Sequence, residues 1–150
     1  MRKINDILRR CDVIEVIGDD SRYVSGLAFD SRKCSEGMAF FAIKGTQVDG
    51  HDFIDRVIEQ GCKTVVCEHI PGILKDDVTY YVVGNTAKTL GYAASEFYGR
   101  PSEKLRLVGV TGTNGKTTIA TLLYRLFSNA GYPCGLLSTI ENRINDIVVP

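Results

Sequence analysis

Leu105-Arg106-Leu107-Val108-Gly109-Val110-Thr111-Gly112-Thr113-Asn114-Gly115-Lys116-Thr117-Thr118 is the stretch from which the fold is read. A short apolar run enters a glycine-rich turn, and the turn delivers a lysine and two threonines onto an amphipathic segment. At a helix start the first backbone N–H groups have no partner inside the helix and point outward, so they bind anionic oxygens. Lys116 adds a cation within reach of terminal phosphates, and Thr117 has the hydroxyl that such loops place on Mg2+. The pattern predicts a strand, a phosphate-binding loop and a helix from about Lys116 to Asn129. Ile119, Leu122, Leu123, Leu126 and Phe127 form its apolar face, and Gly131 stops it. Cys134 to Ile140 reads as the next strand, with Ile147-Val148-Val149 as a hairpin return.

Upstream, Ile4 to Leu8 has the apolar spacing of a short helix, and Val13 to Ile17 and Tyr23 to Phe29 read as strands. Met38 to Ile43 has no polar face, which predicts a strand in a sheet covered on both sides. A loop over 44–50 leads to a helix of about Asp52 to Gln60, with Phe53, Ile54, Val57 and Ile58 as its buried stripe. Lys63 to Cys67 and Thr79 to Val83 are further strands. Asn85 or Thr86 caps a helix that carries Leu90, Ala93, Ala94, Phe97 and Tyr98. Gly99-Arg100-Pro101-Ser102 ends that helix and marks a domain junction. The expected class is α/β: a small N-terminal α/β substrate domain over 1–100, then the first strand–loop–helix–strand part of a P-loop ATPase domain over 101–150. Such a unit does not cover both faces of a parallel sheet alone, so a longer protein is expected, of which this is the N-terminal piece.

Lysine plus arginine and aspartate plus glutamate each number 18, and no basic block stands out, which argues against nucleic acid as a partner. The N-terminus lacks the apolar core of a signal peptide, and no apolar run is long enough to span a membrane. Five cysteines at 11, 34, 62, 67 and 134 include no Cys-x-x-Cys, so reduced thiols in a cytoplasmic protein are expected. His51 and His69 lack a ligand pattern for a metal.

The general phosphate-loop pattern is G-x-x-x-x-G-K-[ST]. Here Val110 stands where its first glycine belongs, Gly109 is one place off, and Gly112 lies inside the loop. A glycine turn that merely caps a helix is the bland alternative, and Gly-Lys-Thr-Thr at a strand-to-helix junction is a narrow coincidence. Val110 to Thr118 resembles the nucleotide loop of the Mur ligases, the ATP-dependent amide-forming enzymes of peptidoglycan precursor synthesis. Asp30-Ser31-Arg32, Glu36 to Ala42, Gly45 and Asp49 to Ile54 are singly no more than turns and caps. Together with the loop they resemble the N-terminal domain of the family member that adds the third residue of the stem peptide.

The resemblance implies that Phe29, Ser31, Thr46, Gln47 and Val48 bind the uridine diphosphate of the substrate. It implies that Gly112, Thr113, Asn114, Gly115, Lys116, Thr117 and Thr118 bind ATP, with Lys116 catalytic and Thr117 on Mg2+. The implied reaction joins a diamino acid, meso-diaminopimelate or L-lysine, to UDP-N-acetylmuramoyl-L-alanyl-D-glutamate through an acyl phosphate. The implied partners are that UDP-N-acetylmuramoyl-dipeptide and the diamino acid, with no nucleic acid, no membrane insertion and a monomeric state. A downstream acidic residue, a carbamylated lysine and a C-terminal amino-acid-binding domain complete the family's site, so the 150 residues alone are expected to be inactive. Three alternatives stand beside this reading: the ligase of the following step, another P-loop nucleotide enzyme, and a non-catalytic UDP-sugar-binding module.

Overall fold

The computed structural model describes residues 1–149; Pro150, the last residue of the expected second domain, lies outside them. Two compact units are present, Met1–Leu105 and Arg106–Pro150. The first runs β1 (Arg2–Lys3), α1 (Ile4–Leu8), β2 (Val13–Ile17), β3 (Tyr23–Val24), β4 (Gly26–Ala28), β5 (Met38–Phe41), then a 3-10 turn (Gly50–Phe53) that continues into α2 (Ile54–Glu59). It continues with β6 (Thr64–Cys67), β7 (Thr79–Val83), α3 (Thr86–Phe97) and α4 (Pro101–Lys104).

Five strands form one sheet in the order β2-β7-β6-β5-β4. β4 to β7 are parallel neighbours, and β2 adds an antiparallel edge. A parallel sheet must be covered on both faces, and the apolar run of β5 is the sequence form of that requirement. Successive side chains of a strand point to opposite faces. Ala28, Phe40, Val65 and Tyr80 stand side by side in register and pack with Ile54, Val57 and Ile58 of α2. Phe41, Val66 and Tyr81 form the row on the opposite face, which meets Ile4, Ile7 and Leu8 of α1 and Ala93 of α3. Full burial of each such apolar side chain contributes about 1.5–3 kcal/mol.

Asn85 is the cap of α3: its Oδ1 accepts the Lys88 N–H at 2.7 Å. Near the far end of α3, Glu96 is buried and gathers arginines from both ends of the unit. Its Oε2 lies 3.1 Å from Arg9 Nη2 and 3.7 Å from Arg100 Nε. Its Oε1 has no hydrogen-bond donor, and Arg10 Nη1 stands 3.7 Å away. Arg2 Nη1 donates to the Glu96 carbonyl at 2.7 Å. A carboxylate withdrawn from water needs such company, because its desolvation otherwise costs several kcal/mol (roughly).

Three expectations change here. The single strand over Tyr23–Phe29 is two: β3 pairs with β1, whereas β4 joins the large sheet beside β5. Between them the Ser25 N–H turns to the Gly37 carbonyl at 2.8 Å. The helix expected from Asp52 begins earlier, as the 3-10 turn at Gly50. Tyr98, expected to share the apolar spacing of α3 with Leu90, Ala93, Ala94 and Phe97, is 70% exposed, whereas Glu96 is buried beside its arginines.

The second unit contains α5 (Lys116–Asn129) and an antiparallel meander of β8 (Gly135–Leu137), β9 (Asn142–Ile144) and β10 (Ile147–Val149). The expected strand at Leu105–Val110 pairs with no strand among the described residues, and Leu107 and Val108 are exposed. The expected apolar face of α5 is also turned to the surface: Ile119, Leu122, Leu126 and Phe127 are exposed, and Leu123 is half-buried. The helix instead anchors through Tyr124, which is buried and donates its hydroxyl to the Asn145 carbonyl. β8 is shorter than expected because Ser138 closes a turn, its Oγ donating to the Glu141 carbonyl at 2.8 Å.

Candidate functional site

The carboxyl ends of β4, β5, β6 and β7 lie along one edge of the sheet. Open α/β sheets take their ligands at that edge. Phe29 leaves β4 there and is 65% exposed. Asp30 then closes a turn on itself: Oδ1 accepts the Arg32 backbone N–H at 3.0 Å and Nε at 2.9 Å, and Oδ2 accepts Nη2 at 2.8 Å. The guanidinium and amide of Arg32 hold the Asp30 carboxyl down at about 2. Ser31 sits inside this turn, buried.

The neighbouring strand β5 ends in a loop that folds back on itself. Lys44 bridges to Asp49, and the Gly45 N–H donates to the Val48 carbonyl at 3.0 Å. The Gly50 N–H closes on the Ile43 carbonyl at 2.9 Å. A Cβ on Gly50 would stand 2.6 Å from Ile43 N and 2.7 Å from Ile43 O, so only glycine permits this approach. Thr46, Gln47 and Val48 form the exposed tip. Phe29, Ser31 and the 46–48 tip, far apart in sequence, thus follow adjacent parallel strands.

A second set of groups on the same edge escaped the sequence reading. Asp49 Oδ1 accepts the His51 backbone N–H at 3.0 Å and lies 2.6 Å from His51 Nδ1. His51 Nε2 accepts the Glu68 N–H, just past β6, at 2.8 Å. Glu68 Oε1 accepts the Thr86 N–H at 2.9 Å and its hydroxyl at 3.0 Å, at the start of α3. The His51 amide and ring lower the Asp49 carboxyl, and the Thr86 amide lowers that of Glu68. Only Asp49-Gly50-His51 was legible as a motif, because Glu68 and Thr86 join it through the sheet.

In the second unit, Gly112 to Thr118 form a rim around the start of α5. Gly115 is its N-cap at φ +77°, a left-handed conformation, and Gly112 lies at φ +147°. No side chain caps the helix start, so its first N–H groups face outward. Lys116 Nζ donates back to the Gly112 carbonyl and, at 3.1 Å, to the Thr113 carbonyl. Thr117 is half-buried, and Thr113, Asn114 and Thr118 are exposed. Uncapped amides, two glycines at the turn and one amine on the rim form a donor set that suits a polyphosphate. Among the described residues no cluster of His, Cys, Asp or Glu is arranged to hold a metal, and no helix is long and apolar enough to cross a membrane.

Two cavities lie elsewhere. One of about 430 Å3 is bordered by Arg2, Asp6, Arg9, Glu96 and Arg100, and one of about 190 Å3 by Tyr124, Ser128, Glu141 and Arg143. The candidate phosphate contacts are backbone N–H edges on exposed loops, a form of anion recognition that requires no deep cavity.

The model of the Mur ligase family catalytic domain matches residues 23–98, and that of the Mur ligase middle domain matches residues 110–150. A UDP-N-acetylmuramoyl-L-alanyl-D-glutamate--2,6-diaminopimelate ligase from Phocaeicola vulgatus is 51% identical over 99% of this chain and 31% of its own length. The chain thus spans less than a third of that relative. The solved structure of a ligase of the same name has a similar fold, with a TM-score of 0.73 over 99% of this chain and 30% of its own, at 24% identity. MurF ligase from Thermotoga maritima in complex with ADP gives a TM-score of 0.53 at 33% identity, over 72% of this chain and 23% of its own. With the family's catalytic-domain model matched across more than half of its residues, the chain belongs to the Mur ligase family.

Proposed function

We propose that this chain supplies the uridine-nucleotide-binding unit and the ATP loop of a ligase that joins 2,6-diaminopimelate to UDP-N-acetylmuramoyl-L-alanyl-D-glutamate. One observation carries the reading: a single chain combines a sheet edge bearing Ser31 and the 44–49 loop with a glycine loop opening onto the uncapped start of α5. The name of the Phocaeicola vulgatus relative supports the choice of substrates, and the ADP complex of the MurF neighbour supports the choice of nucleotide.

The roles follow from the chemistry of each group. Ser31 donates its hydroxyl to a uracil or phosphate oxygen, and the N–H groups at Thr46, Gln47 and Val48 meet the pyrophosphate. Phe29 offers an exposed aromatic face beside them. Amides of residues 112–118 wrap the ATP phosphates, Lys116 neutralises β- and γ-phosphate oxygens, and Thr117 is a ligand of Mg2+. ATP supplies the phosphoryl group that converts the substrate carboxylate into a good acyl donor. Transfer of this kind depends on positioning and charge neutralisation more than on covalent help from the protein. Lys116 must leave the Gly112 and Thr113 carbonyls to serve the nucleotide.

Titration calorimetry with UDP-N-acetylmuramoyl-L-alanyl-D-glutamate and with ATP–Mg2+ tests the reading. Each should bind separately, the first abolished by changes at Ser31 and the 46–48 tip, the second by changes at Lys116. Binding of ATP with no response to any uridine compound would favour a different P-loop enzyme.

A further inference from the structure

Asp49, His51, Glu68 and Thr86 come from three separate stretches of chain and form one continuous line across the carboxyl edge of the sheet. A single tautomer of His51 satisfies both ends of its ring. The proton sits on Nδ1 and is donated to Asp49, and the Nε2 lone pair accepts the Glu68 N–H. The ring is largely shielded, with its side chain 13% exposed. The Lys44–Asp49 loop therefore does not rest on its own turn alone: through His51 it is tied to the end of β6, and through Glu68 to the start of α3.

The geometry points to neutral His51 as a positioning residue for uridine-nucleotide binding, holding the 46–48 tip where a pyrophosphate meets its N–H groups. This rests on the proposed role of that tip. The imidazole touches no part of the ligand and acts through the loop. Its form matters because a doubly protonated ring turns a second N–H toward the Glu68 N–H and loses the lone pair that accepts it. The charged groups around it are Lys44 and Asp49 in its own loop, and Glu68 and His69 after β6. The His69 ring lies 5.4 Å away, centroid to centroid. None of them replaces the lost acceptor.

The test compares wild type, His51→Ala and His51→Gln for binding of UDP-N-acetylmuramoyl-L-alanyl-D-glutamate. Amide exchange at Glu68 is followed in the ligand-free protein. His51→Ala should weaken binding roughly tenfold and expose the Glu68 amide. His51→Gln places a side-chain carbonyl near Nε2, so it should recover most of the affinity and the protection of the Glu68 amide. It also carries the comparison if the alanine variant does not fold. Unchanged affinity in both variants would overturn the role of His51 and leave the uridine reading standing. A wild-type protein that does not bind the ligand, with Glu68 exchange still responding to His51→Ala, would overturn both.

Discussion

Replacing Gly50 by alanine perturbs the point where the loop after β5 closes. A Cβ there would lie 2.6 Å from Ile43 N, 2.7 Å from Ile43 O and 3.0 Å from the Ala42 carbonyl carbon. All three are backbone atoms just past the end of β5, so no flexible side chain can move aside. Relief requires the loop to swing out, which stretches the 2.9 Å bond from the Gly50 N–H to the Ile43 carbonyl. Forced overpacking of this kind costs about 1–3 kcal/mol. In a domain of this size each kcal/mol lowers Tm by about 4–8 °C. Gly91 provides the internal control. It lies exposed within α3, and a Cβ there meets nothing within 4 Å. Gly91→Ala should stabilise by about 0.5–1 kcal/mol, because glycine in a helix interior gives up more freedom than alanine. Urea denaturation of the two variants, followed by circular dichroism, reads both signs with the same chemical change. The Gly50 variant should also bind the uridine ligand more weakly. A Gly50→Ala protein as stable as wild type would show that the backbone approach at Ile43 does not constrain the loop, and would remove the physical basis for its fixed shape.

Lys116→Ala should leave stability within about 0.5 kcal/mol of wild type, since this exposed side chain touches only loop carbonyls, while ATP affinity collapses; equal ATP affinity by calorimetry would refute its role. Asn85→Ala should cost about 0.5–2 kcal/mol by removing the acceptor of the Lys88 N–H, read by urea denaturation; no loss would mean that water caps α3 equally well. Asp30 should titrate at about 2 by carbon NMR. Its folded value lies below the ordinary unfolded carboxylate value of about 3.9, so its contribution is fully present above that value and lost as pH falls through the folded one. An ordinary titration would mean that the Asp30–Arg32 turn opens in solution.

The layered core was legible because its pattern is one-dimensional. Met38 to Phe41 is apolar without interruption, a strand with no solvent face, and its side chains do alternate between α2 and the α1–α3 layer. The cap of α3 and the span of α5 were legible for the same local reason. What escaped depends on pairing. Tyr23 to Ala28 is one run in sequence but serves two sheets, because β1 competes for its first half. Glu96 gave no signal of burial, since its arginines come from residues 2, 9, 10 and 100. On α5 the apolar stripe was legible as a face, but the anchoring of the helix to the meander through Tyr124 was not. For the candidate site, residue types and loop positions were readable. The tie from His51 to Glu68 crosses 17 residues, and no periodicity encodes it.

The buried Glu96 also imposes an order of events on the growing chain. Its contact with Arg9 joins residues 87 apart, and Arg2 reaches it across 94. The apolar side of α1 packs against α3 and the strand row at Phe41, Val66 and Tyr81, all made later. During synthesis, therefore, the first helix emerges long before its docking surface exists. Non-local closure of this sort slows folding and leaves early segments uncovered. Glu96, near the end of the unit, completes the contacts that hold Arg2 and Arg9 against α3.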